Sequence, residues 1–127
     1  MKNNIQKIGN VTEEIINTLG LKNIVENQPI YIGMENREHM QARHPVEYDM
    51  YFKDIEEILS SPDYIGKNPR DNSIAYVKLY EVHGEYIRVG VRVSTNGQLF
   101  ARTLHLLSTY NAERYIERGT LIDIRQQ

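Results

Sequence analysis

The chain has 127 residues, 40% apolar and 25% charged, with a formal net charge of −2; this is the composition of one globular domain with a real core, not of a disordered segment. It contains no cysteine, which excludes disulfides, thiolate chemistry and thiolate-bound zinc, and no apolar run approaches the ~18–20 residues of a membrane span. The start, Met1-Lys2-Asn3-Asn4-Ile5-Gln6-Lys7, is basic but precedes no apolar segment of signal type, so a cytoplasmic protein without membrane association is expected.

Residues 11–19 read as a short helix: Thr12 precedes Glu13-Glu14, then Ile15, Ile16 and Leu19 follow at helical spacing before Gly20. Pro29-Ile30-Tyr31-Ile32-Gly33 is β-rich and opens with proline, which predicts an edge strand. Asn36 is the expected cap of a second helix carrying Glu38 and His39, interrupted at Pro45, with His44 pushed toward extended geometry. The best amphipathic pattern covers residues 46–59, where Tyr48, Phe52, Ile55 and Leu59, flanked by Tyr51 and Ile58, form one apolar stripe. Residues 63–72 read as loop, around Gly66, Pro69 and Asp71. Three runs of period two follow at 74–81, 85–94 and 98–107, joined by Val82-His83-Gly84 and by Asn96-Gly97. A short helix at 111–118 and a last strand at 120–124 close the chain. Helices followed by an antiparallel meander give the α+β class as one domain over 1–127, with N-terminal helices on one face of a twisted sheet of about four strands.

The turns set a register. A two-residue turn at Asn96-Gly97 pairs Arg92 with Ala101, Gly90 with Thr103 and Arg88 with His105. A three-residue turn pairs Lys78 with Arg88 and Tyr76 with Gly90. The core face then reads Ala75, Val77, Leu79, Ile87, Val89, Val91, Val93, Phe100, Leu104 and Leu106. The other face carries a row Lys78–Arg88–His105 beside a row Tyr76–Gly90–Thr103. Opposed cations repel unless an anion lies between them, and Gly90 leaves a gap for a ligand. Arg102 falls opposite Val91, which points to a bulge there or to the core's margin. The acids gather in the helices, at Glu13, Glu14, Glu47, Asp49, Asp54, Glu56 and Glu57. Between 84 and 105 Arg88, Arg92 and Arg102 face only Glu85, a local basic field on a near-neutral protein.

The four histidines, His39, His44, His83 and His105, form no metal signature. His39 and His44 lie roughly 140° apart around one helix, and His83 reads as a turn residue. Cutting RNA without a metal requires a proton acceptor for the 2′-hydroxyl, a proton donor for the leaving 5′-oxygen and charge stabilisation at phosphorus. His39 or His44, with Lys78, Arg88, Thr103 and His105, supplies those parts, and no cofactor is implied.

The stretch Glu38-His39-Met40-Gln41-Ala42-Arg43-His44-Pro45, the helix to Ile58-Leu59 and Pro62-Asp63-Tyr64-Ile65 resemble the phage-associated branch of the barnase–EndoU–colicin–RelE nucleases. Phe100-Ala101-Arg102-Thr103 is similar to that branch's late strand. The resemblance spans about residues 30–108 and implies helices on a four-stranded antiparallel sheet and metal-independent ribonuclease activity. It also implies a phage, mobile-element or toxin setting, with RNA, tRNA among the candidates, as substrate and a cognate inhibitor protein as partner. By resemblance His39 and His44 match the family's histidines and Thr103 its hydroxyl. Two other readings remain: a non-catalytic RNA- or protein-binding module of the same fold, and a structural or regulatory phage protein using a tyrosine-rich surface, with nine Tyr and no Trp.

Overall fold

The computed structural model describes residues 4–125, so the basic start at Met1-Lys2-Asn3 lies outside the described residues. Seven strands form one mixed sheet in the order β1-β2-β6-β5-β4-β3-β7. These are β1 (Gln6–Val11), β2 (Gln28–Ile32), β3 (Tyr64–Lys67), β4 (Ile74–Tyr80), β5 (Glu85–Val93), β6 (Leu99–Leu107) and β7 (Ile122–Asp123). The helices are α1 (Glu13–Leu19), α2 (Met34–Arg43), α3 (Pro45–Tyr51), α4 (Ile55–Ser60) and α5 (Thr109–Arg118). The α+β class stands, but the sheet is larger than the expected four strands. The additions are β1, six residues ahead of the first helix, and β3, four residues inside what reads as loop; the last strand expected at 120–124 is the two-residue β7. Gly66 is why β3 fits, because a Cβ there would lie 2.4 Å from the Thr120 carbonyl oxygen.

Local chemistry explains most boundaries. Thr12 accepts from the Ile15 amide, and Gly20 closes α1 in the left-handed region. Gly33, not Asn36, caps α2; Asn36 lies three residues on and its Oδ1 accepts from the Gly33 amide at 2.8 Å. Tyr51 breaks the expected long helix with φ −122° and ψ −8°, and a 3-10 turn at Phe52–Asp54 joins α3 to α4. The break splits a stripe too wide for one straight helix. Tyr48 and Phe52 stack under Arg37 at the core's margin, while Tyr51, Ile55, Ile58 and Leu59 turn into the core. Tyr51 donates to Glu85, and burial followed by that carboxylate pushes its hydroxyl up to about 12.

The strand after Pro29 is not an edge. β2 lies between β1, antiparallel, and β6, parallel. Only Ile30 and Tyr31 pair with β6, at Leu99 and Phe100, so the donor that Pro29 lacks falls outside that pairing.

Register decides which side chains share a face. Tyr80 pairs with Glu85, so the connection is the four residues Glu81–Gly84, one longer than expected. Lys78 therefore pairs with Ile87, Val77 with Arg88 and Ala75 with Gly90. A slip of one residue turns all of β4 over. Ile74 and Tyr76 enter the main core with Ile87, Val89, Val91, Leu99, Ala101 and Leu104. Ala75 and Val77 instead join Tyr64, Leu107, Ala112 and Leu121 in a second cluster on the opposite face, packed by Tyr115 and Ile116 of α5. Helices thus cover both faces, not one. Leu79, Val93, Phe100 and Leu106, all expected inside, are partly or largely exposed.

The β5–β6 hairpin carries two compensating offsets. Ser94 donates to the Gln98 carbonyl and Gly97 is left-handed, giving a three-residue turn that pairs Arg92 with Phe100 and Val91 with Ala101. A bulge at Arg102 then restores the expected register, with Gly90 opposite Thr103 and Arg88 opposite His105.

Candidate nucleic-acid interface

β6 is paired along its length by β5 but reaches β2 only at Leu99 and Phe100. Helices α2 and α3 lie against the remaining outer edge. Met40 anchors α2 in the core, and Arg37 ties α2 to α3 by donating to the Tyr48 hydroxyl at 3.0 Å. Glu47 of α3 fastens the edge itself, accepting from the Leu106 amide at 3.2 Å. Pro45 at the first position of α3 needs no backbone donor there and holds His44 out of helical geometry, at φ −140° and ψ 67°. His44 consequently stacks on His105, ring centroids 5.3 Å apart. The Glu47 carboxylate lies 3.8 Å from His44 Nδ1.

Cross-strand partners point to one face, so Arg88 stands beside His105 and Gly90 beside Thr103, on the face opposite the main core. His105 is held down to about 4, first by burial, then by the Arg88 and His44 charges, with Glu47 opposing. The imidazole is therefore neutral across the physiological range. Gly90 is not an open gap: a Cβ there would lie 2.5 Å from Thr103 Oγ1, so Thr103 leans across it and occupies the space.

Farther along the same face is an open pocket of about 790 Å³. Arg92, Ser94, Phe100 and Arg102 line it from the sheet, and Glu35, Asn36, Glu38 and His39 from α2. Tyr31 adjoins Phe100, ring centroids 6.0 Å apart.

Of the residues singled out in the sequence, His44, Arg88, Thr103 and His105 come together. His39 is exposed on α2 and faces the pocket, away from the histidine stack. Lys78 is on the other face, donating to the Ser61 carbonyl at 2.9 Å and lying 3.8 Å from Glu57; the longer turn took it there. His83 lies in the exposed turn, as expected. Sequence reasoning missed Glu47, which reads as a solvent-facing acid. Its position three residues after His44, in the first turn of a proline-started helix, was the available signal. Phe100 was misassigned because the three-residue turn was read as two. Among the described residues no group of three or more His, Asp or Glu side chains is arranged to share a metal ion, and no helix is long and apolar enough to cross a membrane.

The fold and this face define a mixed-sheet α+β domain with an arginine- and histidine-bearing surface. The profile of the phage-Barnase-EndoU-ColicinE5/D-RelE like nuclease3 family matches residues 6–117, and the chain belongs to that family of nuclease-like domains. The match extends well beyond residues 30–108 on both sides and takes in β1, α1 and most of α5. Neither curated proteins nor solved structures gave a match.

Proposed function

We propose that the protein is a metal-independent ribonuclease that cuts by attack of a 2′-hydroxyl on the adjacent phosphate. One observation carries the reading: two stacked histidines beside an arginine and a threonine hydroxyl, on a nuclease-family sheet face. His105, neutral and partly desolvated, takes the proton from the 2′-hydroxyl. O2′ then bonds to phosphorus, the P–O5′ bond breaks, and His44 in its protonated form returns a proton to O5′. The products are a 2′,3′-cyclic phosphate and a 5′-hydroxyl. Arg88 neutralises charge at the phosphorane, and the Thr103 hydroxyl donates to a phosphate oxygen. A bound phosphate also offsets the Arg88 and His44 charges, which raises His105 and makes it a better base than in the free protein. Glu47 is a positioning residue, holding His44 over His105 by its grip on the β6 edge.

The RNA substrate class is supported by the family and by the proton-transfer pair, and tRNA is the first substrate to try. A phage, mobile-element or toxin setting and a cognate inhibitor protein belong to the same reading. The test is digestion of labelled total tRNA in excess EDTA by wild type, His44→Ala and His105→Ala. Discrete fragments ending in cyclic phosphate, lost in both variants, are the expected result. Folded wild-type protein that leaves tRNA intact would move the function to a non-catalytic binding module.

A further inference from the structure

The cleavage scheme uses neither arginine of the 790 Å³ pocket, nor its phenylalanine. Four observations give this pocket a ligand of its own. First, the β6 bulge re-aims one side chain, and that side chain is Arg102, which lines the pocket; bulges of this kind concentrate beside functional sites. Second, among the described residues Arg102 has no carboxylate within 4.0 Å, although Glu35 and Glu38 line the same pocket. Among the described residues Arg92 is held only by Asp71, at 3.9 Å. Third, Phe100 is partly exposed between those arginines and Tyr31. An aromatic ring beside arginines is the usual platform for a stacked base in single-stranded nucleic acid. Fourth, the carboxylates stand on the α2 wall and the guanidiniums on the sheet. A bare anion is repelled by the first, whereas a ligand with both a phosphate and N–H donors satisfies both.

Position supplies the rest. Phe100 and His105 lie on the same face of one strand, roughly 15 Å apart at ~3.3 Å per residue. A stacked strand advances only ~3.4 Å per nucleotide, so a chain bound at the histidines reaches the pocket only with additional nucleotides. The pocket therefore lies about four nucleotides along a strand bound at the histidines.

We propose that the pocket is a subsite for a flanking nucleotide of the RNA strand being cut, its phosphate on Arg92 and Arg102, its base on Phe100 and its amino edge toward Glu35 and Glu38. This rests on the ribonuclease reading for the identity of the strand. Binding is measured by fluorescence anisotropy with labelled 2′-O-methyl RNA, which lacks the attacking hydroxyl and cannot be cut. Wild type, Phe100→Leu, Arg102→Gln and, as a charge-loss control on the other face, Lys78→Gln are titrated with oligomers of increasing length. Phe100→Leu is expected to weaken binding of long oligomers by about tenfold. Arg102→Gln is expected to flatten the salt dependence by about 0.7 in log–log slope. Lys78→Gln should bind as wild type, and oligomers too short to span the face should not discriminate among the four. Because Arg102 is exposed, its variant decides the matter if Phe100→Leu melts early. Unchanged affinity and salt slope in both variants, with tRNA still cut, overturns the subsite alone. Failure of wild type to bind any oligomer overturns the subsite together with the function it extends.

Discussion

Replacing His105 by glutamine is expected to abolish a specific part of the protein's acid sensitivity. The ring is neutral in the folded state down to about pH 4, whereas in the unfolded chain it takes a proton near 6.5. Between those values the unfolded state binds more protons, so stability is complete above 6.5 and is lost as pH falls toward 4. A span of about 2.5 pH units at ~1.36 kcal/mol each sets an upper bound of about 3.4 kcal/mol. Solvent still reaches His105 at the sheet surface and screens the neighbouring charges, which leaves ~1–2 kcal/mol. Urea melts of wild type and His105→Gln at a series of pH values from 7.5 to about 4 measure it. The difference between the two curves should grow by that amount as wild type weakens. The carboxyls of Asp71 and Asp123 are held below their ordinary 3.8 by hydrogen bonds from Ser73 and Arg125, so their own losses fall mostly below the window and are common to both proteins. Parallel curves, or an NMR titration of His105 near 6.5, would refute both the burial of the ring and its place beside Arg88.

Three further outcomes follow from single contacts. Gly90→Ala puts a methyl 2.5 Å from Thr103 Oγ1; it should displace that hydroxyl, cost ~1–3 kcal/mol and depress tRNA cleavage more than its melting temperature alone explains. Lys78→Ala loses the bond to the Ser61 carbonyl and should cost ~0.5–1.5 kcal/mol with cleavage unchanged; a fully stable variant that no longer cuts would contradict the β4 register. Tyr76→Phe removes a hydroxyl buried without a partner among the described residues, and should raise stability by about 1 kcal/mol in the same urea assay.

Helix α1 and its caps, the meander strands and α5 were legible because each has local punctuation: Thr12 and Gly20, Asn96-Gly97, and Gly119. Strands β1 and β3 were not. Their ladders are with β2 and β4, and four or six residues carry too little pattern to announce a partner far along the chain. The site divides the same way. Arg88, Thr103 and His105 were found together because hairpin register is local. Lys78 was lost to one extra turn residue, and His44 reached His105 through a helix docking at a strand edge, which no periodicity encodes.

The two offsets in the β5–β6 hairpin also constrain how this segment varies among relatives. The three-residue turn advances β6 by one position and the bulge at Arg102 takes that position back before Thr103. Deleting the bulged Arg102 would leave Thr103 opposite Gly90 and His105 opposite Arg88, whereas closing the turn on two residues at unchanged chain length, with the bulge kept, would move Thr103 and His105 to the buried side. Turn and strand are therefore coupled at fixed hairpin length: a family member of the same length with a two-residue turn should have an unbroken strand where this one spends an arginine.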